Sequence, residues 1–179
     1  MLKVFTDGGC KGNGKKNARA SYALVFAQPV KIGAEKSAIE AYGELRPSNY
    51  FLGKGRVISH GGEEVAPTNI RGEMFAIILA LYLTTGPLEI VTDSEFSINV
   101  CSRWIKGWQK VGFQGKKNKD LLEILFVLMI DREIIFTHVN SHTRGLSPNE
   151  VGNDRADKLA SKILTEQEPN IFKINYTYV

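Results

Sequence analysis

Residues 68–94 read TNIRGEMFAIILALYLTTGPLEIVTDS, and a helix and a strand meet within them. Thr68 or Asn69 can cap a helix that runs to about Thr84. Its body, MFAIILALYL, is apolar nearly all round, which predicts a buried helix. Gly86-Pro87 stops it. Leu88–Thr92 (LEIVT) then reads as a strand that ends at Asp93. Glu73 stands at the front of the apolar helix, where a carboxylate is costly unless it is paired or bound to a metal.

Upstream, Leu2–Thr6 alternates as a strand and ends at Asp7 and the glycine-rich turn GGCKGNG. Ala20–Ala27 (ASYALVFA) is a second strand, and the short glycine-rich link predicts an antiparallel hairpin. Residues 29–66 scatter glycines and charges, with strand-like pieces at Tyr50–Leu52 and Arg56–Ser59. They read as an insertion plus a third strand. Downstream come a helix from Ser94 to about Ser102, a basic aromatic stretch, a helix at Asp120–Met129, a strand at Glu133–Val139 and a helix at about Asn149–Leu164. Residues 166–179 read as a tail or an added strand. This order predicts an α/β domain over residues 1–165. Its five-stranded mixed sheet, with the first three strands antiparallel, is flanked by helices and joined by right-handed crossovers.

The 179 residues are 43% apolar and 23% charged, which suits one domain with an ordinary core. The net charge of +4 is mild, so where the basic residues lie matters more than their number. Cys10 and Cys101 form no C-x-x-C pair, which argues against a disulfide framework or a zinc knuckle. The longest apolar run, Met74–Leu83, has ten residues and is too short to span a bilayer. MLKVFTDGG is not a signal segment. An intracellular protein, cytoplasmic or nuclear and without a membrane partner, is the expectation.

Asp7 and Asp93 each end a predicted strand, and open α/β sheets build sites at that edge. Taken singly, such an Asp more often just caps a turn. The last helix offers two acids. At about 100° per residue, Ala156, Leu159, Ala160, Ile163 and Leu164 form one apolar arc. Asp157 falls at the edge of that arc, whereas Asp154 falls among Lys158 and Ser161 and is expected in a surface charge pair. Several hard oxygen donors without a Cys/His cluster favour magnesium or manganese over zinc. Two such ions can activate water and stabilise a leaving oxygen in phosphodiester hydrolysis.

From Arg103 to Lys119 there are six basic residues and no acid, with Trp104, Trp108 and Phe113 interleaved. Spacing four puts the two tryptophans on one helix face. The pattern fits core tryptophans with a solvated basic face. It fits equally a phosphate-tracking patch with aromatic surfaces for the nucleic acid. Gly9–Lys15 matches G-x-x-x-x-G-K, but Lys16 stands where Ser or Thr should hold magnesium and a strand follows, so no nucleotide cofactor is expected.

The segments FTDGGCKGNG, TNIRGEMFAIILAL, IVTDSEFSINV, WIKGWQKVGF and HVNSHTRG…GNDRADKLA resemble, in order, the motifs of type-one ribonuclease H, the bacterial and eukaryotic kind. The match runs from Leu2 to about Ile163 and breaks at 29–66. The resemblance implies a ribonuclease-H-like fold. It also implies a monomeric endonuclease that cuts the RNA strand of RNA–DNA hybrids with two Mg2+ ions (Mn2+ as a substitute), leaving 5′-phosphate and 3′-hydroxyl ends. By position, Asp7, Glu73, Asp93 and Asp157 match the family's metal-binding acids. His142 matches its histidine for product release or proton transfer, a role that suits a side chain titrating near neutral pH. Gly9, Cys10, Gly12 and Asn69 match RNA contacts. Phe96, Trp104 and Trp108, with Lys106 and Lys110 in the basic protrusion, match DNA contacts, and Thr68 and Asn118 match holders of a DNA phosphate. Two departures stand out. Ala66 replaces the arginine often found two residues before that threonine, and the His142–Asp157 spacing of fifteen is extended. The rival readings are a non-catalytic hybrid-binding module and another nuclease of the same fold.

Overall fold

The structure is a computed structural model. It describes residues 1–15, 17–34, 36–45, 49–53, 56–59, 66–141, 147–166 and 173–178. β1 (Leu2–Lys11) and β2 (Arg19–Lys31) form the expected antiparallel hairpin, with Val4 opposite Phe26 and Lys11 opposite Arg19. β3 (Lys36–Glu44) continues the antiparallel series. The third strand therefore lies at 36–44. The pieces at 50–59 instead belong to a separate two-stranded ribbon, β4 (Asn49–Gly53) with β5 (Arg56–Ser59).

α1 (Asn69–Leu83) starts at the Thr68 cap and is buried almost throughout, as its apolar sequence requires. β6 (Leu88–Thr92) pairs parallel with β1, and β7 (Ile134–His138) pairs parallel with β6. Between them, α2 (Glu95–Asn99) runs through one π-helical turn (Val100–Trp104) into α3 (Ile105–Lys110), followed by α4 (Lys119–Met129). The helix thus extends past Ser102 and carries the aromatic stretch. α5 (Pro148–Thr165) and β8 (Lys173–Tyr178) complete the chain. β8 pairs antiparallel with β3, so the sheet has six strands, not five, in the order β7-β6-β1-β2-β3-β8.

The pleat of β1 sends Val4 toward α1 and α4, and Phe5 toward α5, so each face of the sheet carries its own apolar cluster. No helix among the described residues is long and apolar enough to cross a membrane.

Candidate active site

β1 and β6 pair from Leu2–Leu88 to Phe5–Val91, and beyond that register lie Asp93, one residue after β6, and Asp7. Asp7 stands midway along β1 and does not end it as expected, because pairing with β2 carries the strand on to Lys11. Glu73 comes from the second turn of α1. One ligand oxygen from each of Asp7, Glu73 and Asp93 lies within 4.8 Å of the others. Asp157 joins them in an open cleft of about 310 Å³, which Gly8, Asn69, Ser94 and Ser141 also line. None of these lining residues is basic.

Backbone contact holds Glu73 against Asp7. A Cβ on Gly8 would collide with the Glu73 backbone nitrogen, and one on Gly72 with the Ser21 carbonyl oxygen. Glycine at both positions lets the first turn of α1 rest directly on β1 and β2. α5 is set by its ends. Ser147 and Glu150 form a capping box around Pro148. Arg19 donates to the carbonyls of Leu164 and Glu166 at 3.2 and 3.1 Å. Ala156, Leu159, Ala160, Ile163 and Leu164 are all buried, which leaves Asp157 at the cleft. Asp154 pairs with Lys158 at 2.6 Å, as its helical face predicts.

Burial and mutual repulsion mark these acids. Asp7 is 3% exposed and Glu73 is 5% exposed. Burial, then the nearby Asp93 charge, pushes Asp7 from 3.8 up to about 8, against the lowering effect of hydrogen bonds from Glu73 and Gly8. Burial, then Asp7 and Asp93, drives Glu73 well above its ordinary value. The Glu73 Oε2 atom is buried without a hydrogen-bond partner. Hard oxygen donors packed this closely, one of them orphaned, fit a small divalent cation such as Mg2+ or Mn2+.

The candidate nucleic-acid contacts fall into two groups. Beside the cleft, the Asn69 backbone N–H donates to Asn13 Oδ1 at 3.2 Å and also hydrogen-bonds Cys10. The start of α1 thus meets the β1–β2 turn, where Gly12 takes φ +71°; Gly9, just before it on β1, packs against Ser21. On α2–α3, Phe96, Trp104 and Trp108 form a row with ring centroids 5.8 and 5.6 Å apart. Phe96 and Trp104 are exposed. Lys116 lies over the Trp108 ring, 4.0 Å from its centroid.

Phe113 is not part of this surface. It is buried against Phe126 and anchors the loop from inside. Lys106 and Lys110 line a separate groove of about 690 Å³ with Phe126 and Met129, on the side of α3 turned from Trp108. Thr68 and Asn118 both hydrogen-bond Arg71. His142 lies outside the described residues.

Sequence reasoning passed over Ser94, Ser141 and Arg71, and counted Lys116 only within the basic stretch 103–119. The two serines carry no distinguishing pattern. Lys116 could be placed only once the loop's path was known. Arg71 did carry a signal, as an arginine inside an apolar helix.

The RNase H family model matches residues 1–165. The chain belongs to the RNase H family. Among RNase H relatives it is 32% identical over 168 residues to ribonuclease H of Herminiimonas arsenicoxydans, covering 90% of this chain and 92% of that one. It is 33% identical over 168 residues to ribonuclease H of Schizosaccharomyces pombe, covering 91% of this chain and 53% of that one. The chain spans about half the length of the Schizosaccharomyces pombe and Mus musculus relatives, 53% and 50%. In fold it resembles LC9-RNase H1, a type 1 RNase H with the type 2 active-site motif. The TM-score is 0.61 at 20% identity, over 90% of this chain and 72% of that one. LC11-RNase H1, solved in complex with RNA/DNA hybrid, matches at TM-score 0.54 and 20% identity, over 90% of this chain and 95% of that one.

Proposed function

We propose that this chain is a ribonuclease H, an endonuclease that hydrolyses the RNA strand of an RNA–DNA hybrid with divalent cations held by Asp7, Glu73, Asp93 and Asp157. The observation that carries this reading is the buried trio Asp7, Glu73 and Asp93, within 4.8 Å of one another, with an orphaned Glu73 oxygen. A structural role gives no reason to gather buried carboxylates in this way.

A pair of Mg2+ or Mn2+ ions held by Asp7, Glu73, Asp93 and Asp157 would supply an activated water and stabilisation of the leaving 3′ oxygen. The protein's own groups do the rest. Asp7 and Glu73, whose ionisation burial and crowding disfavour, would meet a cation as carboxylates. Asn69, with Gly9 and Cys10 at the end of β1 and Gly12 in the turn that follows, approaches the RNA backbone, where the 2′-hydroxyl separates RNA from DNA. Phe96, Trp104 and Trp108 offer faces to the DNA strand, with Lys116 as the adjacent cation. Lys106 and Lys110 add longer-range attraction. His142 assists proton transfer or product release. The products carry 5′-phosphate and 3′-hydroxyl ends, and one chain suffices because it holds the whole cluster.

The test is to incubate end-labelled RNA–DNA hybrid, double-stranded DNA and double-stranded RNA with the protein, with Mg2+ and with chelator. Only the RNA strand of the hybrid should be cut, and only with metal. Equal cutting of double-stranded DNA, or cutting in chelator, would overturn the reading.

A further inference from the structure

Arg71 is 1% exposed in the first turn of α1, ahead of its apolar body. A guanidinium keeps its charge, so its burial demands partners. It forks onto Asp120, with Nη1 at 3.0 Å and Nη2 at 2.6 Å. Nη1 also donates to Asn118 Oδ1 at 3.1 Å. The Arg71 backbone N–H donates to Thr68 Oγ1 at 3.2 Å. The Thr68 bond is the cap of α1 and comes from the main chain, so the Arg71 side chain itself fixes Asn118.

This has a chemical consequence. An asparagine whose Oδ1 faces a guanidinium must turn its NH2 the other way. A hydroxyl that accepts from behind is left to donate forward. Asn118 precedes α4, where an asparagine side chain ordinarily caps the helix, yet it makes no such bond. Arg71 holds the oxygen that would have done so. Thr68 and Asn118 are both half-buried, so their free donors reach solvent. Two neutral donors, one fixed by the helix cap and one by the guanidinium, suit an anionic oxygen. Ala66 is exposed and supplies no cation of its own.

We propose that Arg71 is the positioning residue of a DNA-phosphate site, its guanidinium turning Asn118 into a donor beside the capped Thr68 without touching the phosphate itself. The proposal rests on the hybrid-binding reading above. Asp120 completes the device by locking the guanidinium plane in a bidentate pair.

The test measures hybrid binding in chelator, using DNA strands that carry one methylphosphonate at successive positions. Wild type should lose about ten-fold in affinity at one position, since a hydrogen bond to a charged group is lost there. Thr68→Val and Asn118→Ala should bind more weakly and lose that sensitivity. The double variant Arg71→Met/Asp120→Leu removes both buried charges together and so keeps the fold. It should also lose the sensitivity, with the salt dependence of binding unchanged, because no cation–phosphate contact is broken. Should the double variant fail to fold, Arg71→Lys decides. It retains the charge, loses the fork and should show the same insensitivity.

If the Arg71 variant that folds keeps the wild-type sensitivity while Thr68→Val and Asn118→Ala lose it, the positioning role is overturned and hybrid binding stands. If wild type has no sensitive position, the phosphate site falls, and the positioning role with it. If wild type does not bind hybrid at all, the functional reading itself has failed.

Discussion

The Arg155 guanidinium forks onto the Glu40 carboxylate at 2.8 and 2.9 Å, tying α5 to β3 two residues before Asp157. Burial alone would raise Glu40. The Arg155 hydrogen bonds, with that of Asn175, outweigh burial and hold it below its ordinary 4.5. Arg155→Ala leaves Glu40 buried without its main partner. The expected loss is about 1 to 2 kcal/mol at pH 7, less than for a fully buried pair because Arg155 is half exposed. Because the folded-state value of Glu40 is depressed, its contribution is full above about 4.5 and is lost as pH falls through that depressed value. Denaturant unfolding at pH 7 and pH 3 should therefore show a deficit that closes in acid. A deficit of equal size at both pH values would contradict the pairing.

Asp7 gives the opposite sign. In the metal-free protein its folded value rises from 3.8 to about 8. Its protonation therefore favours the fold fully below about 4, and that stability is lost as pH rises through about 8. Asp7→Asn removes the charge, and its Oδ1 can still accept the Gly8 N–H that Asp7 accepts at 2.9 Å. Without metal, the variant should melt a few degrees above wild type at pH 8, with a smaller gap at pH 4. Added Mg2+ should raise the melting temperature of wild type and leave the variant nearly unmoved. A metal-free variant no more stable than wild type at pH 8 would count against a repulsive carboxylate cluster.

The tryptophan row makes a separate prediction. Trp104 is 38% exposed, so Trp104→Ala should cost little stability. Loss of a stacking face should weaken hybrid binding by about 1 to 3 kcal/mol. Single-stranded RNA, which lacks the DNA strand, should be affected less. Equal losses on both ligands would mean that the row does not serve the DNA strand.

The sequence was most legible where one physical signal dominated. α1, β1, β2 and β6 announced themselves by unbroken apolar runs or clean alternation. The helical period separated Asp157 from Asp154 without any structure. β3 stayed hidden because two of its buried positions are Glu40 and Glu44. Each is neutralised by a distant arginine, Arg155 and Arg19. A charge buried by a partner more than twenty residues away reads as a surface residue. The composition KSAIEAYGE also leans toward helix. Phe113 reads like its tryptophan neighbours, and only the left-handed turn at Gly112 and Phe113 sends it inward. The pairing of β8 with β3 depends on a contact between the last strand and one the sequence had not revealed.

The central claim is that these carboxylates form a metal-dependent centre for cutting RNA in hybrids. Its most direct test is the single-turnover rate of RNA-strand cleavage in a labelled hybrid with Mg2+, for wild type and Asp93→Asn, alongside hybrid affinity measured in chelator. The account predicts a fall of at least about 1,000-fold in rate, the scale of losing a transition-state electrostatic contact, with affinity within a few-fold of wild type. Asp93→Asn cleaving at the wild-type rate would contradict it.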